Sequence, residues 1–387
     1  MSQTIPGNVW MVDTTLRDGL QAPGFVLSPR EKMLLADKLD DIGVPELEAG
    51  FPGAGEQECR FVRYLVRRKF KARLSCWCRA LPGDIESAAR CGVSSVHISF
   101  PVSDRLLGVF NKDRRWLFRH LTELIVFAKN RFSHVSVGMQ DASRADLVIL
   151  AECVDATAAA GGVRLRLADS VGILTPAGTA RLIGFIKKRA PALDIDFHGH
   201  NDLGMATANT IAAVEAGATS VNVTVNGIGE RAGNARLEEV AVALSLGLGV
   251  FTGIDETQLV DVSRIVAEMS QRPLPPDKPI SGEMVFTHES GIHGAAQIKD
   301  GIAYQPFHAC RIGRDEQPLR AGMLTGKHVI RHLLETKGIK PSLSRCCLFA
   351  EVVKSESCRQ KQTFDNHKLA QLWEQFSLNG LPGEEAD

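Results

Sequence analysis

Two histidines one residue apart, His198-Gly199-His200, are the sharpest chemical signal in this 387-residue chain. In an extended segment, side chains alternate faces, so both imidazoles lie on one side, about 6–7 Å apart along the strand. That spacing suits two ligands of one metal ion, with Gly199 leaving room for the ion or a substrate. The alternative is two hydrogen-bonded polar histidines. A second stretch, Asp13-Thr-Thr-Leu-Arg-Asp-Gly19, offers a hard carboxylate ligand, a guanidinium and a turn glycine. Arg17 can grip a carboxylate through two parallel hydrogen bonds, or close an internal ion pair with Asp18. Asn226-Gly-Ile-Gly-Glu-Arg-Ala-Gly-Asn234 is a glycine-rich loop placed to open a helix, where backbone N–H groups hold phosphate. Its glycine spacing is not that of the dinucleotide fingerprint.

Two histidines, one aspartate and Asn234 make a mixed nitrogen and oxygen set for a divalent ion. Imidazole suits Zn, whereas carboxylate and amide oxygens also accept Mn or Mg. Such an ion would chelate a 2-oxo acid through its ketone and carboxylate and polarise the carbonyl. Cys76-x-Cys78 and Cys346-Cys347 read as buried structural thiols, because no second Cys or His pair has zinc-finger spacing.

The elements that must position these residues alternate. Strand-like runs at 9–16, 46–51, 73–79, 95–102, 134–141, 164–169, 194–200 and 219–225 are separated by amphipathic stretches. Residues 28–42 open with Ser28-Pro29-Arg30-Glu31, a capping box with proline at the first helical position. Helical spacing recurs at 113–130, 143–160, 176–189 and 205–216, and Gly43, Gly92, Gly161 and Gly217 close helices before the next strand. Eight such units predict an α/β fold, a (β/α)₈ TIM barrel, with a doubly wound open sheet as the alternative. In a barrel the site lies at the strands' C-terminal ends, which is where His198, His200 and the Arg17–Asp18 pair fall. The expected organisation is a catalytic barrel at 9–253, a helix and proline-rich stiff linker at 254–280, a smaller mixed region at 281–330, and a helical C-terminal region at 331–387. Helices are expected at 256–270, 327–336 and 366–376, before an acidic, frayed end at 383–387.

Composition narrows the functional classes. Lys and Arg total 45 against 45 Asp and Glu, so no global charge draws the chain to nucleic acid or an anionic membrane. No apolar run approaches the ~20 residues of a membrane span. Nine irregularly spaced cysteines are not a disulfide framework, and Met1–Gly7 lacks a secretory layout, so a reducing, cytoplasmic setting is expected.

Asp13-Thr-Thr-Leu-Arg-Asp-Gly-Leu-Gln21, His198-Gly-His-Asn-Asp-Leu-Gly204 and Asn226-Gly-Ile-Gly-Glu-Arg-Ala-Gly-Asn234 resemble the barrel family of homocitrate and isopropylmalate synthases with their related lyases. The likeness runs from residue 9 to about 340. Ser99-Phe-Pro-Val-Ser-Asp104, Gln140-Asp-Ala-Ser-Arg144, Met205-Ala-Thr-Ala-Asn-Thr210 and Phe286-Thr-His-Glu-Ser-Gly-Ile-His293 look like the nitrogen-fixation type of homocitrate synthase. That resemblance implies condensation of acetyl-CoA with a 2-oxo acid, 2-oxoglutarate for homocitrate. It implies Asp18, His198 and His200 as ligands of a divalent metal (Zn, Mn or Mg), with Asn234 a nearby fourth. Arg17 would hold the C1 carboxylate, and Gln21, Arg79, Ser99 and Ser170 would complete the substrate pocket, with His97 and Ser103 further candidates. His293 and Tyr304 match a lid that serves the neighbouring subunit's barrel, which implies a homodimer with exchanged lids.

The chain also departs from the family pattern. Leu20 stands where the synthases carry glutamate, and Ser170 where they carry threonine. Gln140 replaces the glutamate that helps handle the acetyl proton; an amide hydrogen-bonds but takes no proton. Gly326-Lys-His-Val-Ile330 and Arg314-Asp-Glu-Gln-Pro-Leu-Arg320 also differ from the synthase runs. These departures keep two alternatives open: a paralogue with another acceptor or with carbon–carbon lyase activity, and a catalytically weak 2-oxo acid-binding protein. Residues 341–387 are too short for the separate leucine-binding regulatory domain of many isopropylmalate synthases.

Overall fold

The computed structural model describes residues 5–315 and 319–378. Residues 1–4, part of the 314–320 run and the acidic end at 383–387 lie outside the described residues. The chain divides after Leu274 into two compact units, Met1–Leu274 and Pro275–Asp387. No described helix is long and apolar enough to cross a membrane.

The first unit is a closed parallel barrel: β1 (Trp10–Asp13), β2 (Glu46–Glu48), β3 (Arg73–Arg79), β4 (Ser95–Pro101), β5 (His134–Gln140), β6 (Arg164–Asp169), β7 (Asp194–Gly199) and β8 (Ser220–Val223). Each strand pairs with its sequence neighbour, and Trp10 to Asp13 of β1 align with Ser220 to Val223 of β8 to close the cylinder. The open-sheet alternative is excluded by that closure. Local signals act where expected. Ser28 accepts from the Glu31 backbone N–H at 3.3 Å while the Glu31 carboxylate accepts from Ser28 N–H at 2.7 Å, so the helix starts at Pro29. Gly43 sits at φ +86°, and a Cβ there would fall 2.4 Å from the Gly253 carbonyl oxygen, so only glycine fits. One helix starts later than expected, at Leu147 instead of 143, because Ala145 is extended and the Asp146 carboxylate caps Val148 N–H at 2.8 Å.

The barrel interior is charged. Strands buried on both faces in a parallel barrel usually read as apolar runs, yet here acids and arginines alternate with apolar residues. Glu46 accepts from Trp10 Nε1 at 2.8 Å and from Arg164 Nη1, reaching across from β6, at 3.0 Å. One layer higher, Glu48 accepts from Arg166 Nη1 at 2.7 Å, Arg166 Nε donates to Asp196 at 2.7 Å, and Asn222 donates to Asp196 at 2.7 Å. Burial pushes the Glu48 carboxyl up, but Arg17 and Arg166 outweigh it and hold it well below the usual range.

The second unit is helical among its described residues, with an isolated antiparallel bridge between Ala321 and Phe364. Helices Lys327–Glu335, Leu343–Gln360 and Asn366–Leu378 share a core of Ile330, Leu334, Phe349, Val353, Leu369 and Trp373. The proline-rich segment is not a stiff extended linker throughout. From Pro275 it folds on itself: Lys278 N–H donates to Pro275 O, Gly282 N–H to Lys278 O, and Met284 N–H to Pro276 O.

Candidate active site

The turn after β1 sets two of the chemical groups. The Asp13 carboxylate accepts from Thr15 N–H at 2.9 Å and from its hydroxyl at 3.0 Å, and Val225 N–H donates to Thr15 Oγ1 at 2.9 Å. The β1 loop is thereby locked to the end of β8. Burial raises the Asp13 carboxyl to about 7 against those Thr15 hydrogen bonds, so this acid shapes the turn. Arg17 and Asp18 follow at the mouth.

Asp18, His198 and His200, all buried, present ligand atoms within 4.8 Å of one another. The two Nε2 atoms stand 3.4 Å apart, His198 Nε2 lies 3.5 Å from Asp18 Oδ2, and the rings meet edge to face at 84°. Among the described residues neither buried Nδ1 finds a hydrogen-bond partner, and the Nε2 edges converge on the carboxylate. Burial drives the His198 pKa down to about 3, Asp18 opposing, which keeps the ring neutral as a ligand must be. Burial raises Asp18, but Arg17 and then both histidines hold it at about 2. Two imidazoles and one carboxylate in a buried pocket fit a divalent cation. Asn234 is placed behind them: its amide donates to Asp18 Oδ1 at 3.0 Å and to Ile228 O at 3.3 Å.

These groups open onto a mouth cavity of about 670 Å³, which Gln21, Arg79, Ser99, Gln140 and Ser170 also line. Arg17 is held by Asp18 at 2.7 Å and by Glu48, and its guanidinium lies over the Trp77 ring, 5.8 Å from the centroid. Arg79 is fastened in a fork to Asp84 at 2.9 and 3.0 Å, half exposed at the rim. The Ser170 hydroxyl oxygen accepts from Asp141 N–H at 2.9 Å, so this side chain supports the turn that follows Gln140 and keeps its own O–H to donate. Ser103 is buried beneath, donating to Asp141. His97 reaches the cavity with Nδ1 2.9 Å from Ser136 Oγ. A Cβ on Gly138 would fall 2.4 Å from His97 Nε2, so the glycine on β5 makes room for that ring. His293 and Tyr304 lie in the second unit, where their rings stack at 4.1 Å and both are exposed; the described lining of the mouth cavity comes from barrel residues.

Sequence reasoning missed Arg166, which forms the charged floor of the cavity, and the Lys32–Glu58 pair on its wall, 3.1 Å apart. The signal for the first was present as charge at every second position: Glu46-Leu-Glu48, Arg164-Leu-Arg166 and Asp194-Ile-Asp196.

Residues 8–266 match the family described as HMGL-like, and residues 280–361 match the homocitrate synthase post-HMGL domain-like family. Homocitrate synthase 1 of Nostoc sp. is 41% identical over 363 residues, 93% of this chain and 95% of that one. 2-Isopropylmalate synthase 2 of Caldanaerobacter subterraneus is 43% identical over 321 residues, 83% and 82% of the two chains. The crystal structure of a Bacillus subtilis HMG-CoA lyase superposes with a TM-score of 0.64 at 19% identity, covering 70% of this chain and 97% of that one, a likeness of fold. The chain belongs to the homocitrate and isopropylmalate synthase family, and it is an enzyme of the acyltransferase type that joins an acyl-CoA to a 2-oxo acid.

Proposed function

We propose that this enzyme condenses acetyl-CoA with 2-oxoglutarate to give homocitrate and free CoA. The observation that carries the reading is the convergence of Asp18, His198 and His200 beside Arg17 at the barrel mouth, in a chain 41% identical to a homocitrate synthase. A divalent cation (Zn, Mn or Mg) held by those three groups supplies electron withdrawal from a keto oxygen. Arg17 orients the acceptor by pairing its C1 carboxylate with the donors that Asp18 and Glu48 leave unused. Gln21, Arg79, Ser99 and Ser170 surround the acceptor, the Ser170 O–H donating. His293, assisted by Tyr304, takes a methyl proton from acetyl-CoA; the carbon left with the electron pair attacks the keto carbon, whose oxygen takes the π pair and then a proton to become the hydroxyl. Water then cleaves the thioester, releasing CoA and the new carboxylate. Gln140 hydrogen-bonds near the acetyl group without taking its proton.

The resemblance of the second unit's Phe286–His293 run supports a lid at 281–330 followed by a helical region at 331–387, and a cytoplasmic homodimer in which each lid serves its partner's barrel. The decisive assay is release of free CoA across 2-oxoglutarate, 2-oxoisovalerate, pyruvate, oxaloacetate and a phosphonate analogue. Fastest release with 2-oxoglutarate is expected. Release with another acceptor alone redirects the substrate, as the Gln140 and Leu20 departures would favour; no release with any acceptor overturns the condensation.

A further inference from the structure

A carboxylate that meets a guanidinium side-on takes two of its N–H donors at once. Arg79 shows that fork in this chain, giving Asp84 both Nε and Nη2. Arg17 does not form it with Glu48. Its Nε donates to Glu48 Oε1 and its Nη1 to Asp18 Oδ2 at 2.7 Å, and among the described residues Nη2 meets no acceptor. The reason lies on the other carboxylate oxygen. Arg166 Nη1 donates to Glu48 Oε2 at 2.7 Å, Arg166 Nε donates to Asp196 Oδ2 at 2.7 Å, and Asn222 Nδ2 fixes Asp196 Oδ1 at 2.7 Å. We infer that Arg166 is a positioning residue for the acceptor: by occupying Glu48 Oε2 it stops Glu48 from closing a fork on Arg17, which leaves Arg17 Nη2 to the acceptor's carboxylate. The inference rests on the condensation proposed above, which gives Arg17 that carboxylate.

Charges alternate in sign along this line, from Asp18 through Arg17, Glu48 and Arg166 to Asp196. Glu48, Arg166 and Asp196 are all buried, so a change at one link is felt at the next. Without Arg166, Glu48 would have two oxygens and one cation to share between them. Its best remaining arrangement is to swing onto both Nε and Nη2 of Arg17, and donors given to Glu48 are lost to the acceptor. The strands place the parts. Arg166 on β6 stands in register with Asp196 on β7, and Asp196 precedes His198 by two residues, so it shares the inward face of that strand. Only a guanidinium suits the middle of the line, because a lysine ammonium is a point charge without the planar fork that joins two carboxylates.

The test is calorimetry of 2-oxoglutarate binding to protein incubated with Mn, beside steady-state CoA release. Arg166→Met should weaken acceptor binding and raise the acceptor's KM at least about tenfold, while kcat at saturating acceptor falls far less. Adding Glu48→Gln to that variant should restore most of the affinity, because an amide has one acceptor oxygen and no charge with which to compete for Arg17. Asp196→Asn tests the sign, and as an isosteric change it keeps a folded protein in hand where Arg166→Met does not fold. With one claimant gone, Arg166 holds Glu48 harder, so acceptor affinity should rise. Equal affinity in wild type and Arg166→Met, a fall in Asp196→Asn, or a loss that Glu48→Gln fails to restore overturns the inference and leaves the condensation standing. A wild type that binds no 2-oxo acid overturns the reading of the mouth as an acceptor site, and this inference with it.

Discussion

Gln140 ends β5 on the rim of the mouth cavity, and the residue after it, Asp141, is left-handed at φ +65° and pinned by Ser103, Arg144 and Ser170. A side chain held on so rigid a turn changes chemistry without changing shape, so Gln140→Glu should fold normally. If this position helps move the acetyl proton, the variant should release CoA roughly 10²–10⁴-fold faster, the usual range of general acid–base assistance; an unchanged or lower kcat contradicts that role. The cluster of Asp18, His198 and His200 was legible because a His-x-His strand end and the Arg-Asp-Gly turn bring their groups together by backbone geometry alone. Asn234 was legible as a neighbour, but only packing shows its amide on Asp18 Oδ1. Ser170 reads from sequence as a substrate hydroxyl, whereas its oxygen is also the acceptor that secures the Asp141 turn.

At the level of elements, all eight strands lie where alternation puts them, since each is a short extended run, apolar or alternating with polar residues, set between helical stretches. Helices Glu56–Arg68 and Leu343–Gln360 escaped the reading, the first because arginines and glutamates crowd its exposed face, the second because Cys346 and Ser357 sit among its buried positions beside Phe349, Ala350 and Val353. The charged barrel layers escaped it as well, because alternating acid and apolar residues mimic a half-solvated strand. Those layers carry a consequence. Arg166→Leu leaves Glu48 and Asp196 buried without their shared cation, and should destabilise the barrel by roughly 3–5 kcal/mol in urea unfolding. A loss under about 1 kcal/mol would show the network to be dispensable. In the second unit, Phe349 is fully buried against Trp373 and Phe376, and Phe349→Ala should cost about 3–5 kcal/mol. Its unfolding transition, followed by Trp373 fluorescence, would report a much smaller cost if those three helices did not share one core.

For the whole molecule, the proposed lid exchange makes a sharp expectation. His200→Ala and His293→Ala chains should each be inactive alone. Mixed after denaturation and refolding, they should regain activity, because a mixed dimer places both lesions in one site and none in the other; continued silence in a confirmed mixed dimer would mean that each lid serves its own barrel. All of this chemistry depends on one cation between Asp18, His198 and His200. Metal analysis of the purified, dialysed protein beside its His198→Ala variant tests that dependence most directly, without reference to turnover. About one divalent ion per chain, stripped by a chelator and absent from the variant, is the expected result for a closed set of three protein ligands. Equal metal content in the two proteins, or none in the wild type even after incubation with Zn, Mn or Mg, would contradict it.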